Sequence, residues 1–130
     1  ARLCTEQEWE RAARPQPPAE GLFPWGADPP SASLANYAAD DGHPLTAPVA
    51  SFPKGATKEG LYDMAGNVWE WTKSPYCTYP EEACGHEAEL VIRGGGFRSN
   101  QPRTLEATSR EALGRQEATE TVGFRCARDG

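Results

Sequence analysis

Gly60-Leu61-Tyr62-Asp63-Met64-Ala65-Gly66-Asn67-Val68-Trp69-Glu70-Trp71-Thr72 is the stretch on which the fold turns. From Val68 the residues alternate with period two. That predicts a strand with Trp69 and Trp71 on one face and Val68 and Glu70 on the other. The two indoles read as core, with an aromatic platform for a ligand as the competing use. Asp63 and Glu70 flank Gly66-Asn67, so two carboxylates sit beside flexible backbone, a donor set that suits a hard cation.

Upstream, Thr5 with Glu8 three residues on is a capping box, and Cys4 with Trp9 forms the accompanying hydrophobic staple. A helix follows, with Trp9, Ala12 and Ala13 on its buried stripe, and Pro15 ends it near Arg14. Residues 15–60 show no sustained period and are cut by Pro and Gly. So long an irregular stretch needs anchors other than regular hydrogen bonding. Phe23, Trp25, Tyr37 and Phe52 are candidates, and a bound cation is another. Downstream, residues 89–93 predict a buried strand stopped by Gly94-Gly95-Gly96. Residues 105–109 predict a weak strand and 122–126 a better one. Short antiparallel strands, one helix and much loop make an α+β fold.

The chain has 130 residues, enough for one domain. Its 12 Pro and 13 Gly argue for a loop-rich body and against a helical bundle. The net charge of −6 and the absence of a basic tract argue against nucleic acid as a partner. No apolar run reaches membrane-spanning length, so membrane insertion is not expected. The opening residues lack signal-peptide character and read as starting inside a structure.

Four cysteines allow three pairings. Cys77–Cys84 would close a short loop and Cys4–Cys126 would join the ends, in an oxidising compartment. Four thiols in a cytosolic protein are the alternative. With two His and no C-x-x-C, a structural zinc site is a poor reading. A second acidic cluster, Asn36, Asp40 and Asp41 before Gly42, resembles the Asp63–Glu70 one in offering oxygens beside mobile backbone. Neither cluster matches the twelve-residue calcium loop, and solvated turn carboxylates are the commoner use of such residues. Covalent catalysis lacks a signature: no G-x-S-x-G occurs, and Cys77 lies beside no evident base.

The stretches ARLCTEQEWERAAR, LFPWG, LANY, TAPVASFPKG, GLYDMAGNVWEWT, VIRGGGF and GFRCAR occur in an order that resembles the formylglycine-generating enzyme (sulfatase-modifying factor) family. The resemblance runs from about residue 2 to residue 128. It implies a C-type-lectin-like fold of the formylglycine-generating-enzyme type, residues 1–130 forming the C-terminal portion of such a domain. Either a partner chain would supply the missing N-terminal part or this is a minimal version of the fold. It also implies calcium ligands: Asn36, the Tyr37 carbonyl, Asp41 and the His43 carbonyl at one site. Asp63, the Gly66 and Val68 carbonyls and Glu70 would form the other. Cys4 and Cys126 match the cysteine pattern of extracytoplasmic members, which points to a secreted, periplasmic or cell-surface protein.

The oxidase branch of the family carries a copper-binding cysteine pair after its R-G-G motif. Here Ser99 stands at the first position and Thr104 near the second. A hydroxyl is a poor Cu(I) ligand, so copper is not expected. The iron site of the ergothioneine-synthesis branch is built by an N-terminal bundle that this stretch does not contain. The resemblance therefore implies a non-catalytic, calcium-stabilised module that binds a protein or peptide. Trp71, Arg98, Ser99, Asn100, Gln101 and Arg103 would form its contact surface. The alternatives are a formylglycine-generating oxidase-like enzyme acting on peptide cysteine thiols, and a structural subunit of a larger complex.

Overall fold

A computed structural model describes residues 1–77 and 88–130. Helix α1 spans Glu6–Ala13 and begins as the capping box dictates. Thr5 Oγ1 accepts the Glu8 amide at 3.1 Å, and Glu8 Oε2 accepts the Thr5 amide at 2.8 Å. The helix stops at Arg14, whose backbone is extended ahead of Pro15. Cys4, Trp9 and Ala13 pack with Met64 and Ala107 in one buried cluster. The staple thus ties the helix to the motif at residues 60–72.

Among the described residues six strands form two sheets. Strand β1 (Arg2–Leu3) pairs antiparallel with β6 (Cys126–Ala127) and brings the two ends together. The larger sheet has the order β4-β3-β2-β5, made of β2 (Trp69–Pro75), β3 (Glu89–Arg93), β4 (Arg110–Gly114) and β5 (Val122–Gly123). The β2/β3 and β3/β4 pairs are antiparallel. The β2/β5 pair is parallel, so the expectation of antiparallel strands fails at that edge.

Two strand boundaries differ from the sequence reading. Residues 102–105 form a 3₁₀ turn begun by Pro102, and the strand comes later, at Arg110–Gly114. Pro102 fixes the φ that such a turn uses. The single strand expected over 122–126 is broken in two: Val122–Gly123 joins β2, and Cys126–Ala127 joins β1. Arg125, between them, turns its side chain to Glu70.

The polarity of β2 is the reverse of expectation. Trp69 and Trp71 are half-buried, while Glu70 and Thr72 face inward at 5% and 0% exposure. Period two was right, but the interior took the polar set. Burial of Glu70 is tolerated because its carboxylate meets an arginine and an indole N–H. Thr72 Oγ1 donates to the Val91 carbonyl at 2.9 Å.

The long irregular stretch is anchored by aromatics and by close backbone approach. Phe23 stacks on Trp25 with centroids 5.2 Å apart, and His43 meets Phe52 edge-on. At Gly66, with φ at 77°, a Cβ would lie 2.4 Å from the Asn36 carbonyl oxygen, so only glycine lets these two segments touch. Among the described residues no helix is long and apolar enough to cross a membrane.

Candidate functional site

Glu70 is the centre from which the site is built. Its Oε2 accepts from Trp9 Nε1 and from Arg125 Nε, each at 2.7 Å. Its Oε1 accepts from Arg125 Nη2 at 2.7 Å. The same Nη2 reaches the carbonyls of Tyr62 at 2.9 Å and Asp63 at 3.3 Å. One guanidinium thus ties the C-terminal segment to both β2 and the 60–63 loop. Burial alone would lower the Arg125 pKa. The hydrogen bonds and charge of Glu70 outweigh it, and the net direction is upward.

Above this pair lies a groove of about 400 Å³, lined by Val49, Ala50, Leu61, Tyr62, Asp63 and Phe124 among others. Glu70, Arg125, Asn67 and Val68 complete it. Three non-glycine residues with positive φ meet here: Ala50 at 63°, Asp63 at 56° and Asn67 at 67°. Backbone held in this region carries strain and clusters where function constrains a chain. Two of the three fix one another, since Asp63 Oδ2 accepts the Ala50 amide at 2.8 Å. Asn67 joins three loops. Its Oδ1 accepts from Asn36 Nδ2 at 3.2 Å and from the Ala47 amide at 2.9 Å, while its carbonyl accepts the Phe97 amide at 2.9 Å.

The two predicted calcium clusters differ in fit. Asn36 Nδ2 donates to the Leu45 carbonyl at 2.8 Å, and Asp41 Oδ1 accepts the His43 amide at 2.8 Å. Asn36 Oδ1 and Asp41 Oδ2 are buried with no partner, so two oxygens remain to take a hard cation. The second cluster is differently engaged. Both Glu70 oxygens are taken by donors, and Asp63 holds Ala50. Tyr37 and His43 sit half-buried in the first loop, and Gly66 and Val68 flank Asn67 in the second. Among the described residues no group of three or more His, Cys, Asp or Glu is placed to hold a metal ion. The expectation of clustered metal sites is corrected accordingly: the acidic side chains are spread out, and one is spent on Arg125.

The expected contact surface is divided. Arg98 is 62% exposed, pairs with Glu120 and lies over the Phe97 ring. Ser99 turns toward the backbone: its Oγ accepts the Gly96 amide at 3.0 Å and its carbonyl accepts the Ala38 amide at 2.9 Å. Asn100 is exposed. Gln101 and Arg103 are exposed and line a polar depression with Glu106 and Arg110. Trp71, on β2, is not part of that lining.

The disulfide expectation for the chain ends is also corrected. Cys4 is a buried free thiol and Cys126 an exposed one. Leu3 is the register partner of Cys126, so Cys4, one residue on, points to the opposite face of the ladder. Burial pushes the Cys4 thiol up. Cys77 is not among the free thiols, and Cys84, its expected partner, lies outside the described residues.

The sequence led one to expect arginines such as Arg93 and Arg110 to pair with carboxylates or backbone carbonyls, and they do so in a second charged centre that it did not assemble. Arg93, 1% exposed, donates through Nη2 to Glu6 at 3.0 Å and Glu10 at 2.8 Å, and through Nη1 to the Ala107 carbonyl at 3.0 Å. Arg110 adds bonds to Glu6 at 3.0 and 2.5 Å. Arg93 at the end of an apolar strand was the available signal, because an arginine there must be paired.

The family model described as the sulfatase-modifying factor enzyme 1-like domain matches residues 1–130. The chain is 49% identical over 82 residues to the hercynine oxygenase of Mycolicibacterium smegmatis, covering 62% of this chain and 19% of that protein. It is 34% identical over 138 residues to the inactive C-alpha-formylglycine-generating enzyme 2 of Bos taurus, covering 97% of this chain and 43% of that protein. The solved structure of PvdO from Pseudomonas aeruginosa superposes with a TM-score of 0.74 at 29% identity, covering 95% of this chain and 50% of that one. The chain thus spans from a fifth to a half of the length of these proteins. The expectation of a non-catalytic module is overturned by the first match: the higher identity goes to an oxygenase, not to the inactive enzyme.

Proposed function

Because the chain belongs to the sulfatase-modifying factor enzyme 1-like family, we propose that it is the substrate-facing part of an oxygenase of that family, acting on a hercynine-like compound. The 49% identity to a hercynine oxygenase carries this reading. Catalysis through a copper-bound cysteine pair finds less support. Ser99 and Thr104 stand where that pair would be, and Ser99 Oγ is bonded to the Gly96 amide. The described residues do not fit an oxygen-activating metal either, since their His, Cys, Asp and Glu form no group of three. Their role is to bind and orient. Glu70 and Arg125 fix the floor of the groove, and Asp63, Tyr62 and Phe124 line its walls.

Two further features belong to this reading. Calcium at the 36–43 loop is supported by the orphaned oxygens of Asn36 and Asp41, and it would pin a segment that has no regular structure. A C-type-lectin-like description is supported by end-to-end closure through β1 and β6 around a loop-rich body. The half-length match to PvdO supports completion of the fold by a further segment, on the same polypeptide or a second chain.

The test is oxygen uptake by the full polypeptide that carries this chain, with iron(II) and a thiol reductant supplied. Hercynine-dependent uptake is expected. Uptake that depends instead on a cysteine-containing peptide would replace the oxygenase reading with thiol oxidation, and no uptake with either would overturn catalysis.

A further inference from the structure

Two donor sets in this chain were expected to hold calcium, and one of them already holds a cation. Arg125 lies in the middle of the 60–70 cluster. Its Nε and Nη2 meet Glu70 Oε2 and Oε1, each at 2.7 Å. The same Nη2 reaches the Tyr62 and Asp63 carbonyls at 2.9 and 3.3 Å. The charge of Asp63 acts on the guanidinium as well, in the same direction as that of Glu70. Four oxygens and two carboxylate charges thus converge on one side chain. Arg125 is delivered by the break between β5 and β6, which pair with β2 and β1 on either side of it.

Carboxylate and carbonyl oxygens are also what calcium requires, about six to eight of them at roughly 2.3–2.6 Å. At this cluster they are engaged. Glu70 is 5% exposed, and its Oε2 accepts Trp9 Nε1 at 2.7 Å in addition to the guanidinium. Turning either oxygen to an ion would break a charge-assisted bond in a desolvated place. A divalent ion set beside the fixed guanidinium would also be repelled by it. Asp63 Oδ2 is held by the Ala50 amide. The 36–43 loop differs, since Asn36 Oδ1 and Asp41 Oδ2 are buried there with no partner. We propose that the Arg125 guanidinium is the resident cation of the 60–70 cluster, built into the fold where a calcium ion was expected, and that it keeps calcium out. This holds whether or not the domain is part of an oxygenase and whether or not the 36–43 loop takes calcium.

The test counts the calcium ions held by the intact polypeptide, in equilibrium dialysis against radioactive calcium. Free calcium is carried to about 5 mM, above the roughly 0.1–1 mM dissociation constants of weak protein sites. Arg125→Ala removes the guanidinium and is expected to bind one ion more than the parent. Arg125→Lys keeps a positive charge without the two-pronged fork and is expected to bind the parent's number. Glu70→Gln, in the parent background, leaves the count unchanged and serves where Arg125→Ala fails to fold. An Arg125→Ala protein that folds and gains no ion overturns the proposal, as does loss of an ion in Glu70→Gln. Equal gain in Arg125→Lys and Arg125→Ala overturns it too, because the charge would then not be what excludes calcium. Asp41→Asn reports on the other loop: a count that it leaves unchanged sinks calcium at residues 36–43 and does not touch Arg125.

Discussion

The sheet side and the loop side of this molecule solve the burial of polar groups in opposite ways. On the sheet side, Glu6, Glu10, Arg93 and Arg110 meet between α1, β3 and β4. Formal charges cancel there, and the backbone around them is regular. On the loop side, Asn36, Asn67 and Ala47 are joined by neutral amides, Ala50 and Asn67 take left-handed backbone, and two oxygens are left over. The first arrangement fixes a scaffold. The second holds a surface in shape while leaving groups that a ligand or ion can take up.

Breaking the sheet side has the largest effect. Arg93→Met leaves Glu6, at 2% exposure, with only Arg110 to balance it. The expected loss is about 3–5 kcal/mol in urea denaturation, the cost of stranding a buried charge. A loss below about 1 kcal/mol would mean that water reaches the cluster and that the contrast between the two sides is false.

On the loop side, Asn67→Ala removes two accepted hydrogen bonds and forces alanine into positive φ. The expected cost is about 3 kcal/mol, roughly 2 from unpaired donors and about 1 from the backbone. Asn67→Gly keeps the backbone and isolates the first part. If the two variants cost the same, the left-handed conformation at residue 67 is not what the asparagine is there to supply.

Legibility in the sequence follows the same division. Local chemistry was readable: Thr5 and Glu8 named the capping box, and residues 89–93 named a strand. Asn36 and Asp41, expected as ion ligands, each keep a buried side-chain oxygen without a partner, the observation on which the calcium proposal rests. Distant pairing was not readable. The face of β2 that turns inward is decided by Arg125, 55 residues away from Glu70, and period two is silent about which face wins. Cys4 and Cys126 were read as a disulfide, but both are free thiols, and one step of register puts their side chains on opposite faces. Phe124 read as part of a strand, whereas the break at Arg125 leaves its ring exposed in the groove.

Calcium, proposed above for the 36–43 loop, offers the direct test of the loop side. With the ion at a hundred times its dissociation constant, binding to the native state alone adds about 2.7 kcal/mol. Calorimetry with calcium and then with chelator is expected to show melting fall by several degrees on chelation. Asp41→Asn should abolish most of the difference, whereas Glu70→Gln should lower melting with and without calcium alike. Equal melting in calcium and chelator would leave the orphaned oxygens to water.

The smallest effect belongs to the exposed rim of the sheet side, where Arg2 bonds Glu8 at 2.8 Å and Asp129 at 2.8 Å. The Arg2 guanidinium, with the Thr5 amide after it, takes the Glu8 carboxyl from 4.5 down to about 2. A depressed carboxyl contributes stability that is present above about pH 4.5 and is lost as pH falls toward 2. Denaturation midpoints at pH 7 and pH 2.5 should therefore differ less in Glu8→Gln than in the parent. Glutamine still accepts the Thr5 amide and so keeps the cap, which confines the change to the charge. Because the pair is exposed, 1 M salt should shrink the parent's pH dependence toward that of the variant. The buried Glu6–Arg93 pair should hardly respond to the same salt. A pH profile of equal steepness in parent and variant would show that the Arg2–Glu8 pair does not set the acid sensitivity.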